Sequence, residues 1–161
     1  MNNVLQKKNV KKVKEFLSNF DKSIKIIELE ATAKTAQDAA SSLKKNVGTI
    51  VKSLLLKSEN DEFFLCLISG DKFLSFEKLK KITNKRFVKA NADEVKKNTG
   101  FSIGGVSPVA HENKPKKIYI DKNLDNYKFI YAAAGHPHVV FEISFNELVY
   151  LTKGFVADIV E

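Results

Sequence analysis

Lys52 stands inside the run Ile50-Val51-Lys52-Ser53-Leu54-Leu55-Leu56. Side chains alternate faces along a strand, so Lys52 shares a face with Leu54 and Leu56 while Ser53 turns the other way. An ammonium aimed inward from an apolar strand costs several kcal/mol unless it meets an anion or opens onto a cavity. The other reading, which periodicity alone favours, sets Lys52 near a strand end with its head snorkelling to water. A second group is Gly100-Phe101-Ser102-Ile103-Gly104-Gly105-Val106-Ser107-Pro108. Its three glycines allow the backbone to approach a ligand closely and present N–H groups. It lacks the spacing of a P-loop or a dinucleotide fingerprint, and the chain has no G-x-S-x-G elbow. A third is Gly135-His136-Pro137-His138, whose two imidazoles share one strand face. With His111 they are enough for an open zinc site, but no Cys pair or H-E-x-x-H accompanies them. No metal or cofactor is therefore expected. Cys66, within Phe63-Phe64-Leu65-Cys66-Leu67-Ile68, reads as an inert core residue.

The elements that must position these groups are short. Residues 4–20 place Val10, Val13, Phe16, Leu17 and Phe20 at helical spacing, with lysines on the far side. Residues 24–29 read as a strand. Thr35 caps a second helix running to Asn46, with Gly48 as a left-handed stop. Residues 49–57 and 62–69 form a hairpin around Ser58-Glu59-Asn60-Asp61. Helices at 76–83 and 91–98 flank a strand at 86–90. Residues 99–109 form the glycine loop, strands follow at 117–120, 129–134 and 139–143, and Ser144 caps a last helix over 146–151. About seven strands interleaved with short helices predict a mixed α/β (α+β) domain around a strongly curved, barrel-like sheet. No repeat or linker divides the 161 residues, so one domain spanning 1–161 is expected.

Composition narrows the partners. Hydrophobic residues at 43% suffice for a core, and the net charge of +8 excludes an acidic, disordered chain. Twelve lysines face five acids in residues 1–57, so most of the excess lies in the first third. That clustering suits either a polyanion or a solvated lysine-rich helix. A lone cysteine excludes a disulfide-stapled scaffold, and no apolar run nears the ~20 residues needed to span a bilayer. The first residues lack the apolar core of a signal peptide, so a cytoplasmic location is expected.

Thr35-Ala36 with Ala39-Ala40, Val47-Gly48 leading into Ile50 to Leu54, the stretch Thr99 to Pro108, and Ala133-Ala134-Gly135 together resemble the YbaK/EbsC superfamily. That superfamily is the prolyl-tRNA synthetase-associated editing domain, found also as free-standing aminoacyl-tRNA deacylases. The resemblance runs in the family's order over essentially the whole chain. It implies a YbaK-like fold and hydrolysis of the ester joining a wrong amino acid to the 3′ end of tRNA. It further implies mischarged tRNA, and prolyl-tRNA synthetase, as partners. Lys52 takes the place of the family's required strand lysine, and Gly104 and Gly105 that of loop donors to a developing oxyanion. Thr35, Ser102, Ser107, Pro108, Gly135 and His136 fall where the aminoacyl pocket is lined. Two positions depart from the pattern. His136 stands where Thr or Ser is frequent, and Ala110 where glycine is common. A non-catalytic tRNA- or nucleotide-binding module of the same fold is the alternative reading.

Overall fold

The computed structural model describes residues 3–30 and 35–161. Helix α1 (Lys8–Phe20) buries Val10, Val13 and Leu17 and turns most of its lysines to solvent. After β1 (Ile26–Glu28), helix α2 (Ala36–Leu43) starts at a complete capping box. The Thr35 hydroxyl accepts the Asp38 N–H at 3.1 Å, and the Asp38 carboxylate accepts the Thr35 N–H. The helix ends earlier than its sequence suggests. Lys44 takes the left-handed conformation (φ 57°), and Gly48 sits in a following 3₁₀ turn where a Cβ would collide with the Tyr127 hydroxyl.

The strands β2 (Ile50–Ser58) and β3 (Phe63–Ser69) form the expected hairpin. Helix α3 (Phe76–Thr83), strand β4 (Phe87–Lys89) and helix α4 (Ala92–Thr99) follow. Then come β5 (Ile118–Asp121), β6 (Ile130–His136), β7 (Val139–Ile143), helix α5 (Phe145–Thr152) and β8 (Phe155–Ala157). The sheet is mixed and open, in the order β1-β7-β6-β2-β3-β5-β8 with β4 beside β2. The expected barrel-like closure does not occur, since β1 and β8 end the sheet without meeting. The eighth strand, β8, escaped the sequence because it is three residues long and mostly exposed. Only its parallel pairing with β5 makes it a strand.

Each face of the sheet buries a different set. Val51 and Leu55 of β2 join Leu65, Leu67, Ala132 and Phe141 in the main core, closed by α1, α4 and α5. The opposite face has two smaller cores. Leu56, Phe64, Cys66 and Ile68 pack under α3 and Ile159 at one end, while Ile50, Tyr131 and Val140 pack under α2 at the other. Lys52 occupies the seam between those two covers. The edge of β2 is split as well. Along one side it pairs with β3 from Val51 to Lys57, but its other side pairs with β6 only at Ile50 and Val51 and with β4 only from Leu56 to Ser58. No described helix is long and apolar enough to cross a membrane.

Candidate functional site

A chamber of about 240 Å³ opens at this split. Its floor is β2 from Ile50 to Leu54, and its walls include Ala36 and Ala39 of α2, Ala133 of β6, Gly104 and Val106 of the glycine loop, and Pro137. Thr35 lines the rim, its hydroxyl engaged as the α2 cap. Lys52 is the chamber's one charged lining residue among those described. Its ammonium donates to the Lys72 carbonyl and lies 4.9 Å from the centre of the Phe73 ring. The head is thus held in place and does not snorkel freely. Burial lowers its pKa from the usual lysine value; Asp71 pulls it back up and Lys89 pushes it down again. Tyr131, buried on the same wall, donates to Glu142 at 2.9 Å, and burial beside that carboxylate raises its phenol to about 12.

A second, larger concavity of about 850 Å³ adjoins the chamber. It lies between the start of α1 and the end of α4, and carries Lys7, Lys8, Lys12, Lys96 and Lys97 against the single carboxylate of Glu112. Lys12 pairs with Glu112 at 3.5 Å; Lys7, Lys8 and Lys97 have no carboxylate partner among the described residues. Ser102, Gly105, Gly135 and His136 line this groove, and Pro137 lines both it and the chamber. The two concavities therefore meet at the Gly104-Gly105 step and Pro137. The meeting is tight: a Cβ on Gly105 would sit 3.0 Å from both the Cα and N of His136. Gly135 (φ 89°) is pressed onto α1, where a Cβ would lie 2.7 Å from the Asn9 carbonyl oxygen. His136 Nδ1 accepts the His138 N–H at 3.1 Å. Burial, and then the nearby His138 and Lys7, hold its pKa below the usual histidine value.

Lysines along an open groove suit a phosphate backbone, and the small, nearly uncharged chamber suits a compact acyl group. No cluster of three or more His, Cys, Asp or Glu residues among those described can hold a metal. The family model of the aminoacyl-tRNA editing domain matches residues 30–151. The chain belongs to that family. A crystal structure of a proposed trans-editing enzyme for prolyl tRNA synthetase matches this editing domain with a TM-score of 0.90 and 35% identity. The match covers 96% of this chain and 98% of the other. A proposed Cys-tRNA(Pro)/Cys-tRNA(Cys) deacylase of Enterococcus faecalis, EbsC, is 27% identical over 126 residues, 78% of this chain and 76% of its own length. Proline–tRNA ligase of Fervidobacterium nodosum is 42% identical over 77 residues, 47% of this chain. This chain spans only 13% of that ligase, so the likeness is to a segment of it.

The editing domain does not gather every residue its sequence singles out. Thr35, Lys52 and Gly104 line the chamber, and Ser102, Gly105, Gly135 and His136 line the groove. Ser107 and Pro108 reach neither. Ser107 is fully buried: its hydroxyl accepts the Val109 N–H, and its carbonyl bonds His111 Nε2 at 2.6 Å. Pro108 and His111 line a different concavity beside Phe16 and Phe155, which shares only Lys12 with the groove. These residues brace the loop that carries Gly104. The Gly105 N–H, expected to serve as a loop donor, donates to the Ser102 carbonyl at 2.9 Å. The Gly104 N–H has no hydrogen-bond partner among the described residues. Sequence reasoning missed Pro137 as the partition, Phe73 as the cover of Lys52, and Ser53 on the chamber floor. Pro137 was legible in its proximity to Gly135; nothing in the sequence marks the other two.

Proposed function

We propose that this chain is a trans-acting aminoacyl-tRNA deacylase of the prolyl-tRNA editing type, working in the cytoplasm as one domain over residues 1–161. The observation that carries the reading is the connection of a lysine-lined groove to a small chamber holding one restrained lysine. The groove takes the acceptor end of tRNA through its phosphates, and the ester enters the chamber past Pro137. An aminoacyl ester is already activated, so a positioned water and a stabilised oxyanion are enough, without a Ser-His-Asp triad. Water adds to the ester carbon while the carbonyl π pair moves onto oxygen. On collapse the C=O reforms and the bond to the ribose oxygen breaks, that oxygen taking the proton that water gave up. Lys52 holds the ribose end by charge, and Gly104 contributes an N–H. The small walls of Ala36, Ala39 and Ala133 limit the acyl group by size. The relatives' names and the family match support this chemistry.

The test is a deacylation panel of Ala-, Cys-, Ser-, Thr- and Pro-charged tRNAs with the wild type and Lys52→Met. Methionine keeps most of the buried stem and removes the charge. Hydrolysis of at least one non-cognate ester, lost by about 10²-fold or more in Lys52→Met at unchanged Tm, is expected. Tight tRNA binding without hydrolysis of any ester would overturn the reading in favour of a non-catalytic module.

A further inference from the structure

The edge of β2 that faces the chamber is bare. In a strand the N–H and C=O of one residue point the same way, and the direction alternates with each residue. On β2 the direction can be read from bonds at its far end. The Leu55 carbonyl accepts the Ala90 N–H and the Glu59 N–H donates to the Arg86 carbonyl, both on the β4 side. The Ser58 N–H instead donates to the Glu62 carbonyl on the β3 side. Odd-numbered residues of β2 thus direct their backbone groups away from β3. Ser53 is one of them, and it lies where β6 has already left, after Val51 opposite Ala132, and β4 has not yet arrived. Just beyond Ala132 the pairing of β6 with β7 shifts register, between Ala133 and His136. The Ser53 N–H and C=O consequently face the chamber with no described backbone partner. The Ser53 hydroxyl is also buried, and it too has no hydrogen-bond partner among the described residues.

Backbone groups turned away from water are almost always paired, so a bare edge inside a chamber is a place for a ligand's own donor and acceptor. An extended amino acid presents its nitrogen and its carbonyl on one side, as a strand residue does. We propose that the aminoacyl group of the substrate pairs with Ser53 as a one-residue antiparallel strand. Its α-ammonium donates to the Ser53 carbonyl, and the Ser53 N–H donates to the ester carbonyl oxygen. As water adds and the π pair moves onto that oxygen, the same N–H stabilises the oxyanion, beside the Gly104 N–H and in place of the occupied Gly105 N–H. This inference rests on the deacylase reading and deepens it. Recognition by Ser53 is blind to the side chain, so discrimination falls to the chamber walls. It also requires an N–H on the α-nitrogen, which the ester of a plain carboxylic acid such as propionate lacks.

Two measurements on the full chain decide it. The first compares Ser53→Ala with the same variant carrying lactate at position 53, which replaces the amide by an ester, removing the N–H and leaving the Lys52 carbonyl a weaker acceptor toward β3. Loss of the hydroxyl is common to both. The lactate variant is expected to show kcat lower by about 10²–10³-fold than Ser53→Ala. Its Tm is expected to fall by no more than about 4 °C, because the missing N–H pairs with nothing in the fold. Equal kcat in the two would overturn the proposal. The second uses 3′-(L-alanylamino)-3′-deoxyadenosine, a non-hydrolysable probe, with ¹⁵N-labelled wild type. Saturation is expected to move the Ser53 amide proton downfield, and 3′-propionylamino-3′-deoxyadenosine, which lacks the α-nitrogen, to move it far less. An unmoved resonance, or equal shifts from both probes, would overturn it. Because this second measurement reads binding, it decides the pairing even if no mischarged tRNA is hydrolysed, an outcome that would refute the deacylase reading alone.

Discussion

Gly105→Ala tests whether groove and chamber meet at a rigid seam. Gly105 does not have a positive φ, so alanine meets no backbone strain there and its whole effect is steric. The new Cβ would lie 3.0 Å from His136 Cα, 3.0 Å from His136 N and 3.2 Å from the Gly135 carbonyl carbon. All three are main-chain atoms and cannot rotate aside. Ordinary contact begins near 3.4 Å, so loop and strand must give way by a few tenths of an ångström. Overpacking of this kind costs about 1–3 kcal/mol, which lowers Tm by about 2–12 °C in a domain of this size. Gly135→Ala is the comparison. It meets the Asn9 carbonyl oxygen at 2.7 Å and adds a left-handed residue (φ 89°), for a total of about 2–5 kcal/mol. Thermal melts of both variants, with deacylation rates at 20 °C where Gly105→Ala remains folded, make the assay. The Gly105→Ala rate is expected to fall by up to ~10²-fold, because the Gly104 and Pro137 walls part. Wild-type stability and rate in Gly105→Ala, or a loss as large as in Gly135→Ala, would refute the seam.

Buried His111 has a folded pKa below its ordinary 6.5, chiefly through desolvation, with Lys12 lowering it further and the Ser107 bond opposing. Below pH 6.5 the unfolded chain therefore takes up a proton that the fold refuses, and stability falls as pH drops, by at most about 1.4 kcal/mol per pH unit from this residue. Urea titrations between pH 7.5 and 5.5 are expected to show that decline, and His111→Gln to flatten it partly, since His136 is shifted the same way. Ala110 sits at φ 64°, where alanine is strained by about 1–2 kcal/mol and glycine is not. After glycine's larger unfolded-state entropy, Ala110→Gly is expected to stabilise by about 0.5–1 kcal/mol in a denaturant midpoint. In the groove, Lys7→Ala and Lys97→Ala are each expected to weaken tRNA binding and to reduce the log–log salt slope by about one, read by filter binding between 50 and 200 mM salt.

Much of the local structure was legible in the residues. Thr35 and Ser144 each cap a helix as their side chains predict, Asn91 caps the helix it was read to begin, and all three prove to be full capping boxes. The Val10, Val13 and Leu17 stripe identified α1, and the alternation of β2 put Lys52 on the face of Leu54 and Leu56. Local rules work there because caps and periodicity act over a few residues. They failed at Gly48, whose reason is Tyr127, a residue 79 positions away. They failed at Ser107 too, where a hydroxyl beside a glycine loop serves the loop itself.

The sequence by itself determined that this chain folds as a mixed α/β domain, that its charge gathers near its start, and that Lys52 and the double glycine are unusual. Tertiary structure alone decided what those features face. Lys52 is half-buried, its head held on the Lys72 carbonyl beside Phe73, because α2 and α3 cover separate parts of one sheet face and leave a seam between them. Ser53 presents its backbone to the chamber because β6 leaves the strand before β4 joins it. Such gaps are properties of where distant strands stop pairing, and no periodicity within β2 records where its neighbours end.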